Sequence, residues 1–245
     1  MIRFLWVVVL GSIWGLIVAL LTIALSPILY PIYGVNMFMA RVVSWGFMKI
    51  AGIQLEIRGT ENIPKDHFCV VTLNHQSSLD FITFASVAPL GMAVIGKKEL
   101  AYIPIIGLLW ILGRNLSIDR SNRGDSIHKF KTAAKIMSEK KLLVAVCPEG
   151  TRNWSGEGLL PFKKGAFHLA IQAQAPVTPA VCTQVKRVFD FRGKKVPGGK
   201  LIVEFLPPIP TKGMEVSNAD SVCTETRSKM LAKLELLEKE IRISA

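Results

Sequence analysis

The stretch Leu142-Leu143-Val144-Ala145-Val146-Cys147-Pro148-Glu149-Gly150-Thr151-Arg152 decides the fold. Its first half is wholly apolar and is closed by a proline and a charged turn. A run that is apolar on both faces, and too short for a helix, reads as a central strand covered on both sides. Parallel sheets of α/β proteins are built from such strands. Upstream, Phe68-Cys69-Val70-Val71-Thr72-Leu73 has the same character and runs into Asn74-His75-Gln76-Ser77-Ser78-Leu79-Asp80. Further strands are predicted at 54–58, 93–96, 115–118, 177–183 and 201–206. Helices are predicted at 126–140, 164–174 and 220–243. In the first of these, Ile127, Phe130, Ala133, Ala134 and Met137 share one face and lysines hold the other. Strands alternating with helices predict an α/β domain whose sheet is mostly parallel and flanked by helices.

The N-terminus is of another kind. No charged residue occurs between Arg3 and Arg41. Residues 4–25 are long enough for one membrane-spanning helix, which needs about 20 apolar residues. The run is too long for the core of a cleaved signal peptide. Pro27 and Pro31 break the helix. A second amphipathic stretch then follows over 35–50, with Met37, Phe38, Val42, Trp45, Phe47 and Met48. Two helices joined by a proline-rich corner can lie in one leaflet, or the first can span while the second lies at the interface. The expected division is a membrane-anchoring pair over residues 1–52 and an α/β domain over 53–245.

The 245-residue chain carries a formal charge of +12, which calls for an anionic partner. No zinc finger, homeodomain helix or RNA-binding sheet motif accompanies that charge, so nucleic acid is not expected and an anionic membrane surface is. The four cysteines and four histidines show no metal-ligand spacing. The cysteines therefore read as buried thiols of a protein facing the reducing cytoplasm, and neither metal nor organic cofactor is expected.

Several strand ends carry chemistry. In α/β sheets, reactive groups sit beyond the carboxyl ends of strands. His75 lies just past 68–73, and Asp80 falls at the start of the next helix. An aspartate there can fix the imidazole tautomer and leave the other nitrogen as a base. The bland alternative is a helix cap beside an ordinary loop histidine. Past 142–147, Arg152 can bind phosphate, Glu149 can orient Arg152 or a substrate hydroxyl, and Gly150 lets backbone approach closely. Alone, this pentapeptide is also an ordinary turn. Arg120, after Ile118-Asp119, and Lys97, after 93–96, are further phosphate candidates. Two serines beside a histidine also raise a serine hydrolase, but no Gly-x-Ser-x-Gly elbow supports one.

Together these blocks resemble the family of 1-acylglycerol-3-phosphate acyltransferases, also called lysophosphatidate acyltransferases. The family's Asn-His-x4-Asp block matches 74–80, and its Pro-Glu-Gly-Thr-Arg block is identical at 148–152. Gly113 to Arg120 is similar to its Gly-x-x-x-Ile-x-Arg block, with one residue more before the isoleucine. Ala175-Pro176-Val177-Thr178-Pro179-Ala180-Val181 resembles its proline-bearing strand. Order and spacing agree over roughly 53–210, and the hydrophobic N-terminus resembles that of bacterial members. Asn153 stands where serine is frequent, and Cys147 where phenylalanine is.

The resemblance implies a glycerolipid acyltransferase fold and transfer of a fatty acyl group from acyl-CoA or acyl carrier protein to the sn-2 hydroxyl of lysophosphatidate. His75 would be the base and Asp80 its positioner. Arg120, Arg152 and Lys97 would hold the phosphate. Glu149, Gly150 and Thr151 would position the substrate, and backbone amides near the motif would steady the oxyanion. The place of action would be the cytoplasmic face of the inner membrane, anchored by residues 4–50. Another acceptor, such as glycerol-3-phosphate, another lysophospholipid or a lyso-aminolipid, stays open within the same fold. So does a non-catalytic membrane-binding module, although intact His75 and Asp80 argue against it.

Overall fold

The computed structural model describes residues 1–29, 35–66, 68–77, 79–87, 93–103, 106–112, 115–118, 123–155 and 157–244. Two apolar helices, α1 (Ile2–Leu29) and α2 (Val35–Ala51), precede the sheet. Then follow β1 (Ile53–Arg58), β2 (Val70–Leu73), α3 (Asp80–Val87), β3 (Ala93–Lys97), α4 (Ile106–Leu112) and β4 (Leu116–Ile118). The chain continues through α5 (Arg123–Lys140), β5 (Val144–Val146), α6 (Gly165–Ala173), β6 (Val177–Cys182), β7 (Gly199–Phe205) and α7 (Ala219–Ser244). The strands form one sheet in the order β1-β7-β6-β2-β5-β3-β4. Every neighbouring pair is parallel except β6 with β7, which run antiparallel. The α/β class and the largely parallel sheet thus match the expectation; the single reversal lies where the 183–198 connection returns on the same side.

Side-chain alternation sorts the core into two faces. Cys69, Val71 and Leu73 of the β2 segment join Leu143, Ala145, Ala180 and Cys182 against α1, α2 and α3. Val70, Val144, Val146 and Val177 face the other way, against Met137 of α5 and Phe167 of α6. α7 covers a third patch, with Met230, Leu234 and Leu237 on Val181 and Ile202. Both faces being covered explains why every residue of β2, β5 and β6 is buried.

α1 and α2 pack antiparallel at close range. A Cβ on Gly46 would lie 2.1 Å from the Trp14 indole nitrogen, and one on Gly11 would lie 2.7 Å from the Phe47 ring. The Trp14 N–H donates to the Val42 carbonyl at 3.1 Å. α2 also docks on the sheet: Phe47, Met48 and Ala51 are buried with Ile53. The Ser44 hydroxyl donates to the Ile82 carbonyl of α3 at 2.5 Å. The first turns of α1 join the domain core, where Phe4 and Val7 are buried and Arg3 donates to the carbonyls of Pro197 and Ala51, and the helix also meets α4. Trp6, Leu10, Ile13, Ile17, Leu20 and Leu21 are exposed. Residues Ile2–Leu25 form a 24-residue helix long and apolar enough to cross a membrane.

Candidate active site

β2 is flanked by β5 on one side and β6 on the other, all parallel, so three strand exits open at the same edge of the sheet. His75 follows β2, Glu149 and Arg152 follow β5, and the segment from Thr183 follows β6. Two amide side chains join the first exit to the third. The Asn74 Nδ2 group donates to the Cys182 carbonyl at 2.9 Å, and the Cys182 N–H donates to Asn74 Oδ1 at 2.8 Å. Gln76 donates to the same carbonyl at 2.8 Å and accepts from the Val185 N–H at 3.1 Å. Both amides are buried. They continue the β2–β6 ladder where the backbones diverge, and so fix the loop that carries His75.

Asp80 heads α3 and is 4% exposed. Its Oδ2 lies 2.7 Å from His75 Nδ1 and accepts from the N–H groups of Gln76 at 2.6 Å and Ser77 at 3.0 Å. A carboxylate oxygen held by two backbone donors turns its remaining lone-pair density to the imidazole. That partner assigns the proton to Nδ1 and leaves Nε2 with a lone pair. The imidazole is partly exposed, so substrate can reach it.

Glu149 lies beneath this pair and is 2% exposed. Its Oε1 accepts the His75 N–H at 2.7 Å and its Oε2 accepts the Leu160 N–H at 2.9 Å. Burial pushes its carboxyl above the usual carboxylate range, and the bonds from His75 and Leu160 pull part of the way back. The Asn153 N–H closes the arrangement by donating to the His75 carbonyl at 2.7 Å. The backbone of His75 is thus clamped at both its polar atoms. Among the described residues of the motif, the N–H groups of His75, Gln76 and Ser77 all donate to carboxylates, so these three are not spare donors for an oxyanion.

Gly150 has φ +67, which favours glycine. It also admits Lys163, whose Cδ would stand 2.8 Å from a Cβ there. Thr151 and Arg152 are exposed, and the Arg152 guanidinium lies 5.3 Å from the Trp154 ring centre. The Arg192 guanidinium stands 4.4 Å from the same centre. Arg120 lies outside the described residues, as does the side chain of Lys97, whose backbone ends β3. The structure therefore brings His75, Asp80 and Glu149 into contact and puts Arg152 on the adjoining turn. Gln76, Trp154, Lys163 and Arg192 had no role in the reading of the sequence, and Asn74 entered it only as the first residue of the Asn-His-x4-Asp block. For the two amides a signal existed, since each flanks His75 just past a buried strand; Arg192 carried none.

Cys69, Cys182 and Cys223 are free thiols. Cys69 and Cys182 lie in the core, where burial pushes the Cys69 thiol up to about 12 and raises Cys182 as well. Among the described residues no group of three or more His, Cys, Asp or Glu side chains could hold a metal ion.

A mostly parallel sheet with a His–Asp pair at the carboxyl edge of a central strand is the setting in which a family model described as Acyltransferase matches residues 54–183. With relatives that share about a third of its residues over most of its length, the chain belongs to this acyltransferase family and is an enzyme of that class. The 1-acyl-sn-glycerol-3-phosphate acyltransferase alpha of Ovis aries is 36% identical over 196 residues, covering 80% of this chain and 68% of the relative. The human protein of the same name is also 36% identical over 196 residues, with 80% and 69% covered. The 1-acyl-sn-glycerol-3-phosphate acyltransferase of Limnanthes alba is 34% identical over 217 residues, covering 87% of this chain and 74% of its own. In fold, the chain is similar to the crystal structure of the 1-acyl-sn-glycerophosphate acyltransferase PlsC from Thermotoga maritima. The TM-score is 0.67 at 21% identity, with 93% of this chain and 98% of the other covered.

Proposed function

We propose that the protein transfers a fatty acyl group from an acyl thioester, carried by coenzyme A or acyl carrier protein, to the sn-2 hydroxyl of lysophosphatidate, giving phosphatidate. The observation that carries this reading is the 2.7 Å contact between His75 Nδ1 and Asp80 Oδ2, which leaves Nε2 as a base at a reachable surface. Nε2 takes the proton of the acceptor hydroxyl as its oxygen attacks the thioester carbonyl. The tetrahedral adduct collapses, the C–S bond breaks, and the imidazolium returns the proton to the departing thiolate. The nucleophile belongs to the substrate, so no acyl-enzyme forms. Asp80 stabilises the imidazolium that exists between the two transfers.

Arg152 holds the acceptor phosphate through charge-assisted bonds. Glu149 works through His75: it anchors the backbone from which the imidazole projects. The names of the relatives in sheep, human and Limnanthes support the acceptor. α1 and α2 anchor the enzyme, and the domain over 53–245 works at the cytoplasmic face. The exposed apolar side of α1 and the formal charge of +12 support that placement beside an anionic lipid surface.

The test is purified protein given labelled acyl-CoA or acyl carrier protein and a panel of acceptors that includes lysophosphatidate and glycerol-3-phosphate. His75→Ala should fold and bind membranes like the native chain yet lose roughly 10²–10⁴ in rate. A folded His75→Ala protein that keeps about half the native rate would remove the base from the mechanism.

A further inference from the structure

A cavity of about 330 Å³ opens beside the His75 loop, on the side of β6. Gln76 and Ser77, the next two residues after His75, form one wall. Trp154, Lys186, Phe189 and Arg192 line much of the rest. It combines a flat aromatic face, an apolar floor and two cations. We infer that this cavity is the seat of the phosphate-bearing arm of the acyl donor, the phosphopantetheine chemistry that coenzyme A and acyl carrier protein share. The inference rests on the acyl-transfer reading above and deepens it.

Topology supports the assignment. In the sheet β2 lies between β5 and β6. The acceptor-binding Arg152 leaves the β5 side, whereas Lys186 and Arg192 leave the β6 side. The cations that leave the two strand exits meet near one ring, since Arg152 and Arg192 both lie against Trp154. A donor held on the β6 side brings its thioester past Gln76 and Ser77 to Nε2 of His75.

The charges fit a phosphate. Among the described residues neither Lys186 nor Arg192 has a carboxylate partner, whereas the neighbouring Arg187 is paired with Glu238. Asp190 also lines the cavity and would repel an anion, but its Oδ1 accepts the Gly193 N–H at 2.8 Å within its own turn. Trp154 lies against both Arg192 and Arg152, and thus touches the two sides. Such stacking holds a guanidinium in place while its N–H edge stays open to a ligand.

The floor fits a lipid enzyme. Phe189 packs on Phe4 of α1 at 5.6 Å and on Phe47 of α2 at 5.7 Å, and Phe191 packs on Phe4 at 5.9 Å. The cavity therefore borders the helices that carry the apolar surface. A donor could leave its polar arm on the cations and its acyl chain against that surface.

The test uses the full-length protein in mixed micelles with Arg192→Ala, Lys186→Ala and Arg192→Lys. Both positions are exposed and outside the core, and circular dichroism checks folding. The donor KM should rise on the order of tenfold for each alanine variant, while the lysophosphatidate KM and kcat stay near native. Arg192→Lys should recover part of the loss. A rise with acyl-CoA alone, or with acyl carrier protein alone, identifies the donor that uses the cavity. An unchanged KM for both donors, or a rise confined to lysophosphatidate, overturns the assignment. Equilibrium binding of coenzyme A and of acyl carrier protein, followed by the fluorescence that Trp154→Phe removes, needs no acceptor. If the native chain acylated a different acceptor, the function reading would fail, and weaker donor binding by Arg192→Ala would still support the cavity. Native-strength binding by Arg192→Ala would refute it.

Discussion

Replacing Glu149 by glutamine isolates what lies beneath the base. The carboxylate accepts two N–H groups, from His75 at 2.7 Å and Leu160 at 2.9 Å, in a place that is 2% exposed. Glutamine keeps one acceptor oxygen and turns its NH2 toward the other N–H. One charge-assisted bond, worth about 1.5–3 kcal/mol, is lost and a buried donor is left unpaired. Burying a neutral amide in place of a carboxyl returns part of that, so a loss of about 2–3 kcal/mol is expected.

The effect on rate is separate. Where the amide oxygen keeps Leu160, the His75 backbone loses its anchor, and a shift of about 1 Å at a reacting group costs roughly 10²-fold. Denaturant unfolding gives the first quantity; kcat and KM with acyl-CoA and lysophosphatidate give the second. The expected pattern is kcat lower by about two orders of magnitude with both KM values near native. A variant destabilised as expected but with native kcat would refute the argument that His75 is held through its backbone.

The same pair of proteins tests the titration. Burial lifts the carboxyl above its ordinary value of 4.5. A raised acid pKa means that the folded state holds the proton more tightly. The stability this adds is complete below the unfolded value and is lost as pH rises through the raised one. The native chain's advantage over Glu149→Gln should therefore shrink as pH climbs from 4.5 upward. An advantage that grew with pH would mean that the His75 and Leu160 N–H groups outweigh burial.

Asp80→Asn should fold, because an amide oxygen can still accept from Gln76 and Ser77, but it loses the charge that stabilises the imidazolium. Steady-state assays should show kcat lower by about 10⁴-fold at most, and a rate within about tenfold of native would show that Asp80 only caps α3. Arg152→Ala should raise the lysophosphatidate KM roughly tenfold or more and leave the donor KM near native, with partial recovery in Arg152→Lys; equal effects on both substrates would argue against a phosphate contact.

The sequence by itself determined the elements whose pattern is local. Runs such as 68–73 and 142–147 are apolar on both faces, and only a covered strand accommodates them. The helical spacing of Ala133, Ala134 and Met137 likewise gave the buried face of α5. The blocks 74–80 and 148–152 marked both loops of the candidate site, since each follows a buried strand and carries groups that core burial would not tolerate unpaired. No periodicity assigned an element to α4, whose run Ile106–Leu112 is apolar throughout.

What only the tertiary structure decided is which groups meet. Asn74 and Cys182 are 108 residues apart in the chain, and His75 and Glu149 are 74 apart. Glu149 read as a partner for Arg152 or for substrate because those are its neighbours in sequence or in chemistry; in the fold its oxygens go to His75 and Leu160. The reversal of β7 against β6, the docking of α2 on α3, and the placement of Arg192 on Trp154 are of the same kind. A strand's identity follows from its own side chains. Its neighbours depend on which buried amides and carboxylates find donors once the sheet has formed, and that condition has no local signature.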